Sequence, residues 1–116
     1  MNQCSMFAVY DGHGGDECCN FLKEQFHTYA LENFSSKNME RNLKNACLKL
    51  DKDFADRIMR ERSGDTSGSC ALSLILLDDK LVFMNVGDSR AFYSKNRGKE
   101  LQIASYDHKP HFFSEM

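Results

Sequence analysis

An aspartate, a glycine and a histidine in consecutive positions close an apolar run, Phe7-Ala8-Val9-Tyr10-Asp11-Gly12-His13-Gly14-Gly15. A strand that ends this way sets a carboxylate and an imidazole at the mouth of a buried sheet. Gly12, with no side chain, leaves the backbone free to turn and to offer a carbonyl oxygen. A carboxylate beside a backbone oxygen suits a hard divalent cation, and an adjacent histidine suits proton transfer near neutral pH. The segment therefore proposes metal-assisted hydrolysis. Two further turns carry an acid, Gly64-Asp65 in a Ser/Thr/Gly loop and Gly87-Asp88-Ser89. A turn acid usually caps its own backbone. Only the Asp11 turn adds a histidine and two glycines after an apolar strand, and spacing alone leaves both readings open there.

Several other chemistries are excluded by pattern. No cysteine is followed by an arginine six positions later, so the thiolate loop of cysteine phosphatases is missing. The stretch from Gly64 to Ser69 lacks the Gly-Lys-Ser/Thr ending of a phosphate-cradling loop. Asp51-Lys52-Asp53 opens like a calcium loop, but neither the glycine nor the closing glutamate follows, and it reads as a solvated helix face. His108 and His111, with Pro110 between them, make no convincing ligand pair, and His27 falls on a helix surface.

The elements that must position these residues follow from periodicity. Met6 to Tyr10 reads as a fully buried strand. Gly14-Gly15 gives a flexible turn, and Asp16-Glu17 put acids in the first turn of a helix. Along it Cys18, Phe21, Leu22, Phe26 and Tyr29 form one apolar stripe. After the polar break 35–38, a second helix is expected from Met39 to Arg62, with Leu43, Ala46, Cys47, Leu50, Phe54 and Ile58 on its stripe. Beyond the loop 63–68 the period changes to short strands, 70–77, 81–86, 91–94 and 101–104. Turns at Asp78-Asp79-Lys80 and Asn96-Arg97-Gly98 join them in pairs, and Gly87-Asp88-Ser89 interrupts the pairing between. One strand, two helices and an antiparallel meander predict an α+β layered fold whose sheet is covered on both faces.

Composition narrows the class. The 116 residues suffice for one domain, and 41% hydrophobic with 28% charged residues reads as soluble and globular. A net charge of −2 predicts neither nucleic-acid nor membrane binding. The five cysteines, Cys4, Cys18, Cys19, Cys47 and Cys70, show no C-x-x-C spacing and read as reduced, mostly buried thiols of an intracellular protein. The start has neither a basic n-region nor a long apolar run, so no secretory signal is expected.

Four motifs then occur in order: Phe7 to Gly15 as above, Ser67-Gly68-Ser69-Cys70-Ala71, Asn85-Val86-Gly87-Asp88-Ser89-Arg90-Ala91, and Asp107-His108-Lys109-Pro110. Together they closely resemble the metal-dependent protein phosphatases, the type 2C Ser/Thr phosphatases, over essentially the whole chain from Met6 to Pro110. The first motif is highly specific, the Gly-Asp-Ser-Arg motif nearly so, and the Asp-His-Lys-Pro run weak alone. The resemblance implies an antiparallel β-sandwich flanked by helices in α-β-β-α layers. It also implies hydrolysis of phosphoserine and phosphothreonine in phosphoprotein substrates, with two Mn²⁺ or Mg²⁺ ions and a third, weaker one. Asp11 would bridge the two ions, the Gly12 carbonyl would bind one, His13 would be the general acid, and Asp88 would serve the third ion. A cytoplasmic or nuclear location, without nucleic-acid or membrane partners, goes with this reading.

The same resemblance defines what is lacking. Family members carry a phosphate-binding arginine and a metal-binding glutamate upstream, and Met1 to Ser5 contain neither. Two further metal-binding aspartates, in an Asp-Gly turn and a Gly-Asp-Asn segment, lie beyond the equivalent of Met116. Residues 1–116 are thus expected to be a partial type 2C catalytic domain, without its N-terminal strand region and C-terminal half, and inactive alone. Cys70 stands where the family commonly has threonine. The alternative is a pseudophosphatase-like, non-enzymatic binding or scaffolding module. Retention of Asp11, Gly12, His13 and Asp88 argues against it.

Overall fold

The computed structural model describes residues 4–32, 35 and 37–108. It is a mixed α+β arrangement of two helices and small antiparallel sheets. Contacts divide it into two units, Met1–Asp11 with Cys70–Met116, and Gly12–Ser69.

The first unit is built on a three-stranded sheet in the order β1-β4-β5, with β1 at Cys4–Val9, β4 at Ala71–Leu77 and β5 at Lys80–Val86. Both pairings are antiparallel, with Phe7 opposite Leu74 and Leu74 opposite Phe83. The two-residue turn Asp78-Asp79 joins β4 to β5, and Asp78 takes φ +53, a left-handed conformation that aspartate tolerates. A separate hairpin pairs β6, Phe92–Lys95, with β7, Glu100–Ile103. Its loop puts Asn96, Arg97 and Gly98 in succession at positive φ. The expected meander is therefore two hairpins, parted by the segment that holds Asp88.

Side-chain alternation on β4 is strict. Ala71, Ser73, Ile75 and Leu77 are buried, whereas Leu72, Leu74 and Leu76 on the opposite face are half-buried. Their cross-strand neighbours Phe7, Val9 and Leu81 are about 60% exposed. Two expectations need correction here. β1 is not a fully buried strand, because it is an edge strand with one neighbour, and most of it is exposed. The sheet is covered on one face rather than two among the described residues, and a two-sheet sandwich is not seen in them.

The second unit contains α1, Glu17–Leu31, and α2, Met39–Glu61, with a two-residue ladder between β2, Gly12–His13, and β3, Gly68–Ser69. Of the expected stripes, Phe21, Phe26, Leu43, Ala46 and Leu50 are buried and the rest half-buried, and Ala30, outside the expected stripe, is buried as well. Phe21 packs on Phe54 at 5.3 Å between ring centroids. Asp53 is not merely a solvated face. It accepts a 2.6 Å hydrogen bond from the Tyr29 hydroxyl and ties α2 to α1, while Lys49 lies over the Tyr29 ring. α2 ends one residue earlier than expected, where Arg62 turns left-handed and its N–H reaches the carbonyls of Ile58 and Met59.

Asp16 occupies the N-cap of α1 without capping it through its side chain. The Cys18 N–H, one of the free donors of the first turn, instead donates to Ser67 Oγ at 3.0 Å, 49 residues away. Ser67 is itself held by Asp65, whose Oδ2 accepts from the Ser67 N–H at 3.0 Å and from its hydroxyl at 2.5 Å. The Asp65 turn thus serves its own backbone, as turn acids usually do. Among the described residues no cysteine forms a disulfide; Cys70 alone is buried, Cys4 is exposed and the others are half-buried, so the thiols are less buried than expected. No helix among the described residues is long and apolar enough to cross a membrane.

Two outcomes follow for the 116-residue chain. Ser67→Ala should lower the urea stability of the helical signal by about 1 kcal/mol, the usual worth of a helix cap. The hydrogen bond to Asp53 is the main cause that raises the Tyr29 phenol above its ordinary value of 10.0, followed by desolvation and the charges of Asp53 and Glu32. A raised folded-state value stabilises fully below the ordinary value and ceases to do so as pH climbs past the raised one. The stability difference between wild type and Tyr29→Phe should therefore be present at neutral pH and vanish in strongly alkaline solution, as measured by urea unfolding across that range.

Candidate active site

Strand direction places three of the singled-out segments together. With β1 antiparallel to β4 and β4 antiparallel to β5, the end of β1, the start of β4 and the end of β5 lie at the same end of the sheet. Asp11 follows β1, Cys70 precedes β4, and Gly87-Asp88 follow β5. Cys70 touches both acids' segments. Its N–H donates to the Asp11 carbonyl at 2.9 Å, and its thiol donates to Asp88 Oδ1 at 3.3 Å. Gly87 must be glycine for two reasons: its φ is +109, and an added Cβ would lie 2.5 Å from Cys70 Sγ. Both acids are exposed, and among the described residues no side chain pairs with the Asp11 carboxylate.

Gly12 and His13 belong to the second unit, one peptide bond beyond Asp11. Here β2 and β3 hold His13 opposite Gly68, and the imidazole lies so close over Gly68 that no Cβ fits beneath it. That explains the glycine in Ser67-Gly68-Ser69. Gly12 is equally constrained, since a Cβ there would come within 2.9 Å of Cys19 Sγ. The cap through Ser67 and Asp65 braces this corner, and a Cβ added at Gly15 would lie 3.4 Å from the Ser67 Cβ. His13 is exposed and its imidazole has no hydrogen-bond partner among the described residues.

Asp11 and Asp88 both offer carboxylate oxygens, the donor type that Mg²⁺ or Mn²⁺ prefers. Among the described residues, no three His, Cys, Asp or Glu side chains gather into a cluster able to hold an ion. These donors suit such a metal in kind. Thiol chemistry is disfavoured. Burial, then Cys19 and the acids Asp65 and Asp51, push the Cys18 thiol up, and burial raises Cys47 as well, which keeps both protonated and poorly nucleophilic.

The structure also gives partners to motif residues for which sequence reasoning named no role. Asn85 Nδ2 donates to the carbonyls of Gly87 at 3.1 Å and Tyr106 at 2.6 Å. Arg90 forms a two-point ion pair with Asp107, at 3.0 and 2.5 Å, and Asp107's hydrogen bond and charge raise the Arg90 guanidinium further. His108 bonds Gly87 through both its backbone and its ring. Apart from Asn85 and Gly87, these partners sit 17 to 21 residues apart, and the motifs that contain them gave no sign of the pairing. Lys109, Pro110 and His111 lie outside the described residues.

Comparison with known proteins agrees with the motifs. The family described as Protein phosphatase 2C matches residues 2–116. Probable protein phosphatase 2C 14 of Arabidopsis thaliana is 34% identical over 110 residues, covering 91% of this chain and 23% of the relative. Probable protein phosphatase 2C 55 of Oryza sativa subsp. japonica is 38% identical over 107 residues, 91% of this chain and 28% of the relative. Protein phosphatase 1A of Homo sapiens is 30% identical over 121 residues, 95% of this chain and 31% of the relative. The chain thus spans about a quarter to a third of the length of these relatives while matching nearly all of itself. With a family match over 115 of its 116 positions, counted from residue 2 to residue 116, the chain belongs to the protein phosphatase 2C family.

Proposed function

We propose that this chain carries part of the catalytic centre of a metal-dependent protein Ser/Thr phosphatase, and that residues 1–116 form part of a type 2C catalytic domain. The observation that carries the reading is the linkage of Asp11 and Asp88 through Cys70 at one end of the β1-β4-β5 sheet. Asp11 would offer its carboxylate to two divalent ions, the Gly12 carbonyl would bind one of them, and Asp88 would serve a third, weaker site. Bound Mn²⁺ or Mg²⁺ would supply an activated water and polarise the phosphoryl oxygens. His13 would give a proton to the serine or threonine oxygen as its bond to phosphorus breaks, so that the alcohol leaves neutral. Phosphoproteins of the cytoplasm or nucleus would be the substrates.

The exposed Phe7, Val9 and Leu81 beside the half-buried Leu72 and Leu74 on one face of the sheet support the wider architecture. So much contiguous apolar surface suits a second sheet packed against the first, as in an α-β-β-α sandwich.

The donor count sets the expected behaviour. With Asp11 and Gly12 as the principal oxygens, water must complete each ion's shell and affinity should be low. Calorimetric titration with Mn²⁺ should give weak binding heats for the wild-type chain and a marked loss for Asp11→Asn. The purified chain should release no phosphate from a phosphoserine peptide in millimolar Mn²⁺. Equal heats for the two proteins would remove Asp11 from the site and favour a binding module. Robust metal-dependent turnover would show that 116 residues suffice.

A further inference from the structure

Gly87, beside the candidate cation site, has φ +109, one of several conformations open to a glycine, so its surroundings must hold it there. Three hydrogen bonds do so. The Gly87 carbonyl accepts from the His108 N–H at 2.8 Å and from Asn85 Nδ2 at 3.1 Å. The Gly87 N–H donates to His108 Nδ1 at 3.3 Å. One residue, His108, thus engages both polar groups of Gly87, with a ring nitrogen taking the place a strand carbonyl would fill. This arrangement needs Nδ1 without a proton, the ring N–H residing on Nε2.

His108 is in turn held in place. Its neighbour Asp107 takes Arg90 in the two-point ion pair, and the carbonyl of Tyr106 accepts from Asn85. The Ala91 N–H donates to Ser105 Oγ at 2.9 Å and the Ala104 N–H to the Ala91 carbonyl at 2.9 Å. The segments 85–91 and 104–108 are therefore laced together on either side of Asp88. None of these bonds reaches the Asp88 carboxylate itself, which meets the Cys70 thiol. The lacing leaves that carboxylate's second oxygen unengaged among the described residues while fixing the backbone that carries it.

We propose that His108 is a positioning residue for Asp88, holding the Gly87–Asp88 peptide so that the carboxylate is set in advance for a divalent cation. The proposal rests on Asp88 being a cation ligand. It assigns to the otherwise weak Asp-His-Lys-Pro run a mechanical part: Asp107 anchors it through Arg90, and His108 grips the turn. Outer partners that orient a metal ligand characteristically control affinity without touching the ion.

The test is a Mn²⁺ titration of the 116-residue chain followed by NMR, where paramagnetic broadening of amides near Asp88 reports even weak binding. In wild type the broadening should depend on Asp88 and be lost in Asp88→Asn. His108→Ala should raise the Mn²⁺ concentration needed by about tenfold or more. His108→Asn, whose Oδ1 takes the place of Nδ1, should stay close to wild type. A folded His108→Ala that titrates like wild type would overturn the proposal. A scalar coupling across the hydrogen bond between the Gly87 amide nitrogen and His108 Nδ1, measured in wild type, needs no variant, and its absence would overturn it equally. If wild type shows that coupling but no Asp88-dependent broadening, Asp88 is not a cation ligand; that sinks the underlying reading, and the proposed purpose of the grip with it.

Discussion

Two acid-bearing segments close on a single residue, Cys70, at one end of the β1-β4-β5 sheet. Its backbone N–H continues the pairing past the end of β1 to the Asp11 carbonyl, and its thiol meets Asp88 past the end of β5. Antiparallel order makes this possible, because it sets the end of β1, the start of β4 and the end of β5 side by side. A thiol is a weak donor, so the hold on Asp88 does not come from Cys70 alone. The larger share falls to the backbone bonds at Gly87, which fix the turn before the carboxylate is considered.

Glycine is a recurring requirement in each unit, and the reason is contact as well as flexibility. Gly68 lies beneath the His13 imidazole, Gly12 lies against Cys19, and Gly87 lies against Cys70. In each case a side chain has taken the space a Cβ would need. The residues that lend functional character to the motifs and the glycines beside them are therefore one packing problem. A polar network does similar service in the helical unit, where Asp65 orients Ser67 and Ser67 caps α1. Ordinary caps are local; this one bridges 49 residues and braces the loop on which His13 rests.

Much of this was legible in the sequence. Helical periodicity located both helices to within a residue or two, since buried stripes on α1 and α2 repeat at three and four positions. The hairpin turns at Asp78 and Asn96 announced themselves through residues that tolerate positive φ. The acids Asp11, Asp65 and Asp88 stood out by type, and the structure separates Asp65, which serves its own loop, from the other two, which flank Cys70. Burial was less legible. Phe7 and Val9 are apolar and yet exposed, because hydrophobicity reports what a strand prefers and not whether a neighbour is there to cover it. The grip of His108 on Gly87 was out of reach for another reason: it joins residues 21 apart through a ring nitrogen, and no local pattern encodes such a pairing.

The central claim is geometric: Asp11 and Asp88 share one end of the sheet because both segments close on Cys70. Nuclear Overhauser contacts from Cys70 measure this most directly. The account predicts contacts from the Cys70 amide to Asp11 and from the Cys70 β-protons to Asp88 in the same folded chain. Contacts to one acid and none to the other, in a chain whose β4-β5 ladder is intact, would contradict it.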